Sequence, residues 1–288
     1  METFGERLAR AAQLLVSVTE TPRLDAEVLL AQAAGLSRAQ LLARLKMPCE
    51  APAFDAMLQR RLAHEPLAYI LGEWEFFSLT FRVTPPLFVP RPETEHLVEV
   101  VLEHIGSHPA KVLDLCTGTG CVAVAIARNA PRTGLVATDI HPDALVVAAE
   151  NAVRHGVSDR IEFKHGDLFQ ALDAPRDTYD VICANPPYVE DAAWPELPPV
   201  IRLYEDPRAL LAGPEGLDVI TRIAGQALRF LSPAGLLAIE VGEGQYGKVA
   251  EVLEKNGYEN IGFRRDLAGI ERVVTAHAPA GALPRDQG

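Results

Sequence analysis

The sequence predicts an α/β fold: a doubly wound, seven-stranded, mostly parallel sheet that ends in an antiparallel hairpin, preceded by a small helical bundle and a β-hairpin linker. Three observations carry this. From residue 110 onward, β-branched runs alternate strictly with helical ones, as a parallel sheet with right-handed crossovers requires. The last two strand-like runs, 258–266 and 271–278, are joined too briefly for a crossover helix and must pair antiparallel. Up to about residue 72 the pattern is instead helical and rich in Ala and Leu.

The elements follow in order. Thr21 can cap a helix with Pro22 in its first turn, with Leu24, Val28 and Ala31 on one face and Gly35 at its end. Ser37 and Gln40 form a capping-box pair that opens the next helix, and another helix spans about 53–64. The run "EWEFFSLTFRVT" from Glu73 is aromatic and β-branched, and reads as a hairpin turning near Ser78. A proline-stiffened stretch then enters a helix whose face holds Leu97, Val100, Val101 and His104. Thereafter come strands at 111–116, 134–140, 160–166, 179–184 and 235–241, with helices at 121–130, 142–156 and about 215–231. These boundaries divide the chain into a helical domain, 1–72, a hairpin linker, 73–90, and an α/β domain, 91–288.

Composition bounds the function. The 288 residues are 48% hydrophobic and 23% charged, enough for a full core. Lys and Arg number 27 against 39 Asp and Glu, a net −12 that disfavours charge-held nucleic acid. No stretch approaches the ~20 apolar residues that cross a bilayer, and the start lacks a basic segment followed by an apolar one, so a cytoplasmic protein with no membrane partner is expected. Cys49, Cys116, Cys121 and Cys183 form no CxxC pair and no zinc-spaced cluster, so reduced thiols and no metal are expected.

The first chemical motif is "DLCTGTG", residues 114–120, where a strand becomes a helix. Glycines there allow close backbone approach, and the helix N-terminus offers free N–H groups. A dinucleotide loop would need GxGxxG, but Ala123 stands at the third position, and Asp114 would repel a pyrophosphate. A neutral or cationic nucleoside suits the turn Asp114, Cys116, Thr117, Gly118, Thr119, Gly120 better. Asp139, ending the second strand, is placed to accept from both ribose hydroxyls; Asp167 in "GDLF" can accept from an adenine amino group, with Leu168 and Phe169 to pack the ring. One such acid would ordinarily be a solvated loop residue; three at the ends of successive strands point to an adenosine site.

The second motif is "NPPY", residues 185–188, ending the fourth strand. Pro186 and Pro187 stiffen the turn and offer no N–H. The Asn185 side-chain oxygen and the Pro186 carbonyl then stand as paired acceptors that match a planar –NH2 group, with Tyr188 packing against the substrate plane. Holding both hydrogens aims the nitrogen and favours the developing cation, which is methyl-acceptor chemistry by positioning. Adenine, guanine and a glutamine side chain all present such an amino group, so the motif alone leaves the substrate open.

The turn and the three acids resemble the class I S-adenosylmethionine-dependent methyltransferases over about residues 110–277. The segments "EPLAYILGEWEF" (65–76), "FVPRPETEHLVE" (88–99), "NPPY", "EDPRALLAGPEGLD" (205–218) and "RDLAGIERVV" (265–274) together resemble the HemK/PrmC family of protein-glutamine methyltransferases over nearly the whole chain. That resemblance implies an S-adenosyl-L-methionine-dependent enzyme that methylates the glutamine of the Gly-Gly-Gln motif in class 1 peptide chain release factors. It implies that Asn185 and Pro186 hold the amide, that Tyr188 flanks it, and that residues 116–120, Asp139, Asp167 and Leu168 hold the cofactor. A monomer is expected. The chain departs from the family pattern at Cys116 in the glycine loop and at Ile270-Glu271. Arg91, Glu93, Thr94 and Glu95 either open the following helix or close the loop over the site. Arg202, Arg208, Arg264 and Arg265 read as solvated. Two further readings remain: an amino methyltransferase acting on a nucleic-acid base or a ribosomal-protein glutamine, and a non-catalytic module that binds a translation factor.

Overall fold

The computed structural model describes residues 2–173 and 177–281, in two compact units. The first comprises residues 1–73, 84–86 and 197–205. It holds helices α1 (Phe4–Leu15), α2 (Pro22–Ala33), α3 (Arg38–Leu42), α4 (Phe54–Leu62) and α5 (Leu67–Leu71). Helix α1 starts with a full capping box, in which Thr3 caps Glu6 and Glu6 returns to the Thr3 backbone; Ser37 and Gln40 do the same for α3. Phe4, Leu8, Leu15, Leu29, Leu30, Leu41 and Phe54 fill the core between them.

Helix α2 buries only part of the expected face. Ala31 is buried as expected, but Leu24 is exposed and Val28 half-buried, whereas Asp25, Ala26, Glu27, Leu29 and Leu30 turn inward. The reason is an ion pair. Asp25 takes the Arg61 Nε at 2.7 Å with both side chains buried, and Glu27 bridges Arg23 and Arg38. Thr21 does not cap the backbone; its hydroxyl donates to Asp25.

The second unit comprises residues 74–83, 87–196 and 206–288. Strands β1 (Glu73–Phe76) and β2 (Leu79–Arg82) form the hairpin, with Phe77 and Ser78 both at positive φ in its two-residue turn. Phe76 and Phe81 pack edge to face and are buried among Leu97, Val101 and Val124, so the hairpin belongs to this core. Helix α6 (Glu95–Ile105) buries Leu97, Val98, Val100, Val101 and Ile105; His104, expected on that face, is exposed and lies against His277.

The sheet follows: β3 (Ala110–Leu115), α7 (Cys121–Asn129), β4 (Thr133–Asp139), α8 (Pro142–Arg154), β5 (Ile161–His165) and β6 (Tyr179–Ala184). The short helix α9 (Pro199–Arg202) belongs to the first unit. The second unit continues with α10 (Asp218–Ala227), β7 (Leu231–Glu240), α11 (Tyr246–Asn256), β8 (Glu259–Arg265) and β9 (Glu271–His277). Helix α10 ends four residues earlier than the apolar spacing suggests, because Leu231 begins β7. Helix α11 was not expected from the sequence: only Val249 and Leu253 of its residues are buried.

Strand order is β5-β4-β3-β6-β7-β9-β8, with β7–β9 and β8–β9 antiparallel and the other pairs parallel. Side chains alternate between two cores with the period-2 rule. Val112, Val181, Cys183 and Ala238 face α6 and α7, whereas Leu113, Ile182, Leu237 and Ile239 face α10 and α11. The chain runs outward from β3 through β5, then returns to place β6 on the other side of β3. That reversal opens a crevice at the carboxyl ends of β3 and β6, where such sheets hold ligands.

Candidate active site

Both motifs leave the sheet at this crevice. Asp114 pairs with Cys183 and Leu115 with Ala184, so the glycine turn and "NPPY" start from neighbouring strand ends. They line one cavity of about 360 Å³. Asp114, Cys116, Thr117, Gly118, Thr119, Asp139, Asp167, Leu168, Asn185, Pro186, Pro187 and Tyr188 all contribute to its wall; Gly120 does not.

Gly120 serves packing instead. Its φ is +78°, and a Cβ there would lie 2.8 Å from Ala148 Cβ and 3.0 Å from Ala148 Cα, so α8 needs a bare backbone at the start of α7. Gly118, at φ +55°, has open space beside it. Between them the turn is held by Asp139, whose two carboxylate oxygens accept from Gly118 N and His141 N, each at 2.8 Å. Burial raises the Asp139 carboxyl above its usual range against these bonds. Cys116 also takes positive φ, and all four cysteines are free thiols.

Asp114 is buried at the base of the turn. It accepts from Thr117 Oγ1 at 2.6 Å and from the Cys183 thiol, and burial pushes its pKa up to about 7. Asp167 pairs with Arg222 Nη2 at 2.5 Å. Leu168 lines the cavity, but Phe169 turns away into the core and stacks on Phe230, with centroids 4.7 Å apart. Both residues belong to a 3-10 turn that starts at Leu168, itself at positive φ, and both pack into one core; only Leu168 also reaches the cavity wall.

At "NPPY", the Asn185 amide nitrogen donates to Thr94 Oγ1 at 3.0 Å. The Tyr188 hydroxyl donates to Glu240 Oε1 at 3.4 Å, and its backbone carbonyl accepts from Gln245 Nε2 at 3.0 Å. Gly216 is packed against that same carbonyl: a Cβ would sit 2.3 Å from it. Burial raises the Tyr188 phenol above its ordinary range. Glu240, the last residue of β7, is 1% exposed, and desolvation pushes it up to about 7 although Thr94, Tyr188 and Arg272 favour its charged form.

Several of these residues escaped the sequence reading. Glu240 is the strongest omission; an acid closing the apolar run Leu236–Ile239 was a visible signal. Arg208 is exposed, as expected, but it also borders the cavity and pairs with Asp206, which meets His141 at 3.0 Å. Arg222, on the polar side of α10, gives no local signal. Among the described residues no cluster of His, Cys, Asp or Glu could hold a metal, and no helix is long and apolar enough to cross a membrane.

Comparison with known proteins adds a family. The PrmC N-terminal domain family matches residues 6–72, and the methyltransferase small domain family matches residues 92–197. A release factor glutamine methyltransferase of Rhodopirellula baltica is 41% identical over 89% of this chain and 90% of its own. Proteins of the same name from Coxiella burnetii and Cereibacter sphaeroides are 40% and 42% identical over 96% and 89% of this chain, covering 99% and 91% of theirs. Among solved structures, the hMettl16 catalytic domain in complex with an RNA hairpin aligns with TM-score 0.59 at 17% identity, over 76% of this chain and 81% of that one. A T. thermophilus 16S rRNA methyltransferase in complex with AdoMet and guanosine aligns with TM-score 0.54 at 18% identity, over 72% and 49%. These two speak for the fold; the curated relatives speak for the lineage. The chain belongs to the release factor glutamine methyltransferase family.

Proposed function

We propose that this protein transfers a methyl group from S-adenosylmethionine to the side-chain amide nitrogen of the glutamine in the Gly-Gly-Gln motif of class 1 peptide chain release factors. The observation that carries the reading is the convergence of the Asn185-Pro186 acceptor pair and the glycine turn on one cavity.

The residues present fit a sulfonium nucleoside. The cavity falls within the usual range for small-ligand sites. Its wall combines apolar surface from Leu87, Val122, Leu168 and Val219 with the carboxylates of Asp114, Asp139 and Asp167, a set suited to hydroxyl and amino donors and to positive charge. In this reading Asp139 takes the ribose hydroxyls, Asp167 and Leu168 the adenine, and Asp114 with residues 116–120 supports the turn around the rest. When bound, S-adenosylmethionine supplies an electrophilic methyl group. The chain's own contribution is placement. Asn185 Oδ1 and the Pro186 carbonyl accept the two amide hydrogens, Pro187 stiffens the turn, and Tyr188 flanks the amide plane. Those acceptors favour charge growing on the nitrogen, so no strong base is needed before transfer.

The helical region 1–72 serves substrate recognition in this account, with 73–90 as its link to the methyl-transferring region 91–288. The match of residues 6–72 to the PrmC N-terminal domain family supports that division. The protein acts as a cytoplasmic monomer without stable nucleic-acid binding, a reading supported by its net charge of −12.

The test is incubation with purified release factor, total tRNA or duplex DNA and a labelled methyl donor, read by peptide mass spectrometry and scintillation. One added methyl on the Gly-Gly-Gln glutamine is expected. Label in nucleic acid alone would overturn the substrate, and no transfer to any of them would favour a non-catalytic binding module.

A further inference from the structure

A carboxamide is nearly symmetric in shape and opposite in polarity at its two ends. Turned by 180°, Asn185 would present –NH2 to a substrate that also presents –NH2, and the acceptor pair would become a repulsive one. Nothing within "NPPY" itself chooses the productive orientation. The two prolines fix the backbone, but the side chain needs an external partner.

We propose that Thr94 is a positioning residue for methyl transfer: its buried hydroxyl, beside the Glu240 carboxylate, holds the Asn185 nitrogen and thereby turns Asn185 Oδ1 toward the acceptor amide. This rests on the amide-methylation reading above.

The argument is one of direction. Thr94 is 1% exposed, and its hydroxyl has a single hydrogen. The Glu240 carboxylate is the acceptor that draws this hydrogen: Thr94 favours its charged form, and when ionised it can only accept. The remaining lone pairs of Oγ1 can only accept as well, so they require a donor from Asn185, and the Nδ2 group lies 3.0 Å away. Polarity therefore passes from the carboxylate through the hydroxyl to the amide. Tyr188 is tied to the same carboxylate directly, so both polar side chains of the motif share one anchor.

The ordinary alternative, that Thr94 caps α6, is not realised. It occupies the N-cap position, but its side chain makes no capping bond, and it closes the 3-10 turn Pro92–Thr94 with the hydroxyl turned to the site.

The anchor has a pH signature. Glu240 faces Thr94 and Glu93 from the segment before α6, Tyr188 from the loop after β6, Arg272 from β9 and Cys121 from α7. Of these Arg272 favours the carboxylate, while Glu93 and burial oppose it, leaving its pKa pushed up to about 7. A protonated Glu240 can donate to Thr94, which frees the threonine hydrogen for Asn185 Oδ1 and permits the flipped amide. Turnover should fall as pH drops through that value.

The experiment measures kcat and KM for glutamine methylation of purified release factor by wild type, Thr94→Val, Thr94→Ser and Glu240→Gln, with methyl-donor affinity by titration calorimetry. Thr94→Val should lower kcat by about tenfold or more, as expected for a misaligned reacting group, with donor Kd within about twofold. Thr94→Ser, which keeps the hydroxyl, should stay within about threefold of wild type. Wild type should show an acid limb in kcat that Glu240→Gln lacks. Wild-type kcat in Thr94→Val, equal impairment in Thr94→Ser, or donor affinity falling in step with kcat would overturn the proposal. If Thr94→Val does not fold, Thr94→Ser and the Glu240→Gln pH profile decide it: an unchanged acid limb in Glu240→Gln overturns it. Wild type that leaves the glutamine unmethylated would instead overturn the function and this inference with it.

Discussion

Replacing Gly120 with Ala separates two demands that the glycine turn makes on the chain. At φ +78° an L-residue costs about 1–2 kcal/mol. The added methyl would also lie 2.8 Å from Ala148 Cβ and 3.0 Å from Ala148 Cα, and the second of these atoms is helical backbone that cannot swing aside. Overpacking of this kind adds about 1–3 kcal/mol, for a total near 2–5 kcal/mol. Gly118→Ala is the internal control, because φ +55° carries the backbone cost while nothing lies within 4 Å of the new Cβ. It should lose only about 1–2 kcal/mol. Urea unfolding followed by tryptophan fluorescence and far-UV circular dichroism measures both. Gly120→Ala should also weaken binding of the methyl donor, since relief of the clash shifts α7 away from α8 and takes its N-terminus out of register with Asp139. Equal stability loss in the two variants would refute the packing argument, and undiminished donor affinity in Gly120→Ala would refute its link to the site.

Asp139→Ala should weaken the methyl donor by tenfold or more on the scale of a lost charged hydrogen bond, read by calorimetry; an unchanged Kd would refute its ribose role. Asp25→Ala leaves the Arg61 guanidinium buried without its carboxylate and should cost about 3–5 kcal/mol in urea unfolding, whereas Asp25→Leu with Arg61→Leu should cost far less. The Asp114 carboxyl, at 3.8 when unperturbed and about 7 in the fold, binds a proton in the folded chain over a range where the unfolded chain has lost it. Its contribution to stability is therefore present at low pH and fades as pH rises from about 4 to about 7, on the order of 4 kcal/mol in all. Comparing wild type with Asp114→Asn at pH 5 and pH 8 isolates that slope, and an identical pH response in the two would refute it.

The β/α succession was legible because Gly and Pro punctuate it. Strands β3, β4 and β6 begin and end within a residue of the expected limits, and Pro142 opens α8 as expected. The convergence of "DLCTGTG" and "NPPY" was legible too, since a doubly wound order sets the first and fourth strands of the parallel region side by side. Long-range polar partnerships were not. The buried face of α2 is chosen by Arg61, 36 residues on, and no local periodicity reports it. Asp167 meets Arg222, and Thr94 meets Asn185 91 residues away. Leu168 and Phe169 share one core and one 3-10 turn, and their adjacent places in that turn let only Leu168 reach the cavity as well. Helix α11 was missed because a helix that buries two side chains leaves little apolar pattern to read.

The central claim is that Asn185 and Pro186 hold the acceptor amide and leave the methyl donor alone. The direct measurement is a pair on Asn185→Ala: kcat for methylation of the release factor glutamine, and Kd for S-adenosylmethionine by titration calorimetry. Turnover reduced by two orders of magnitude or more with donor Kd within about twofold of wild type is the expected result. Turnover retained, or donor affinity lost in proportion to it, would contradict the account.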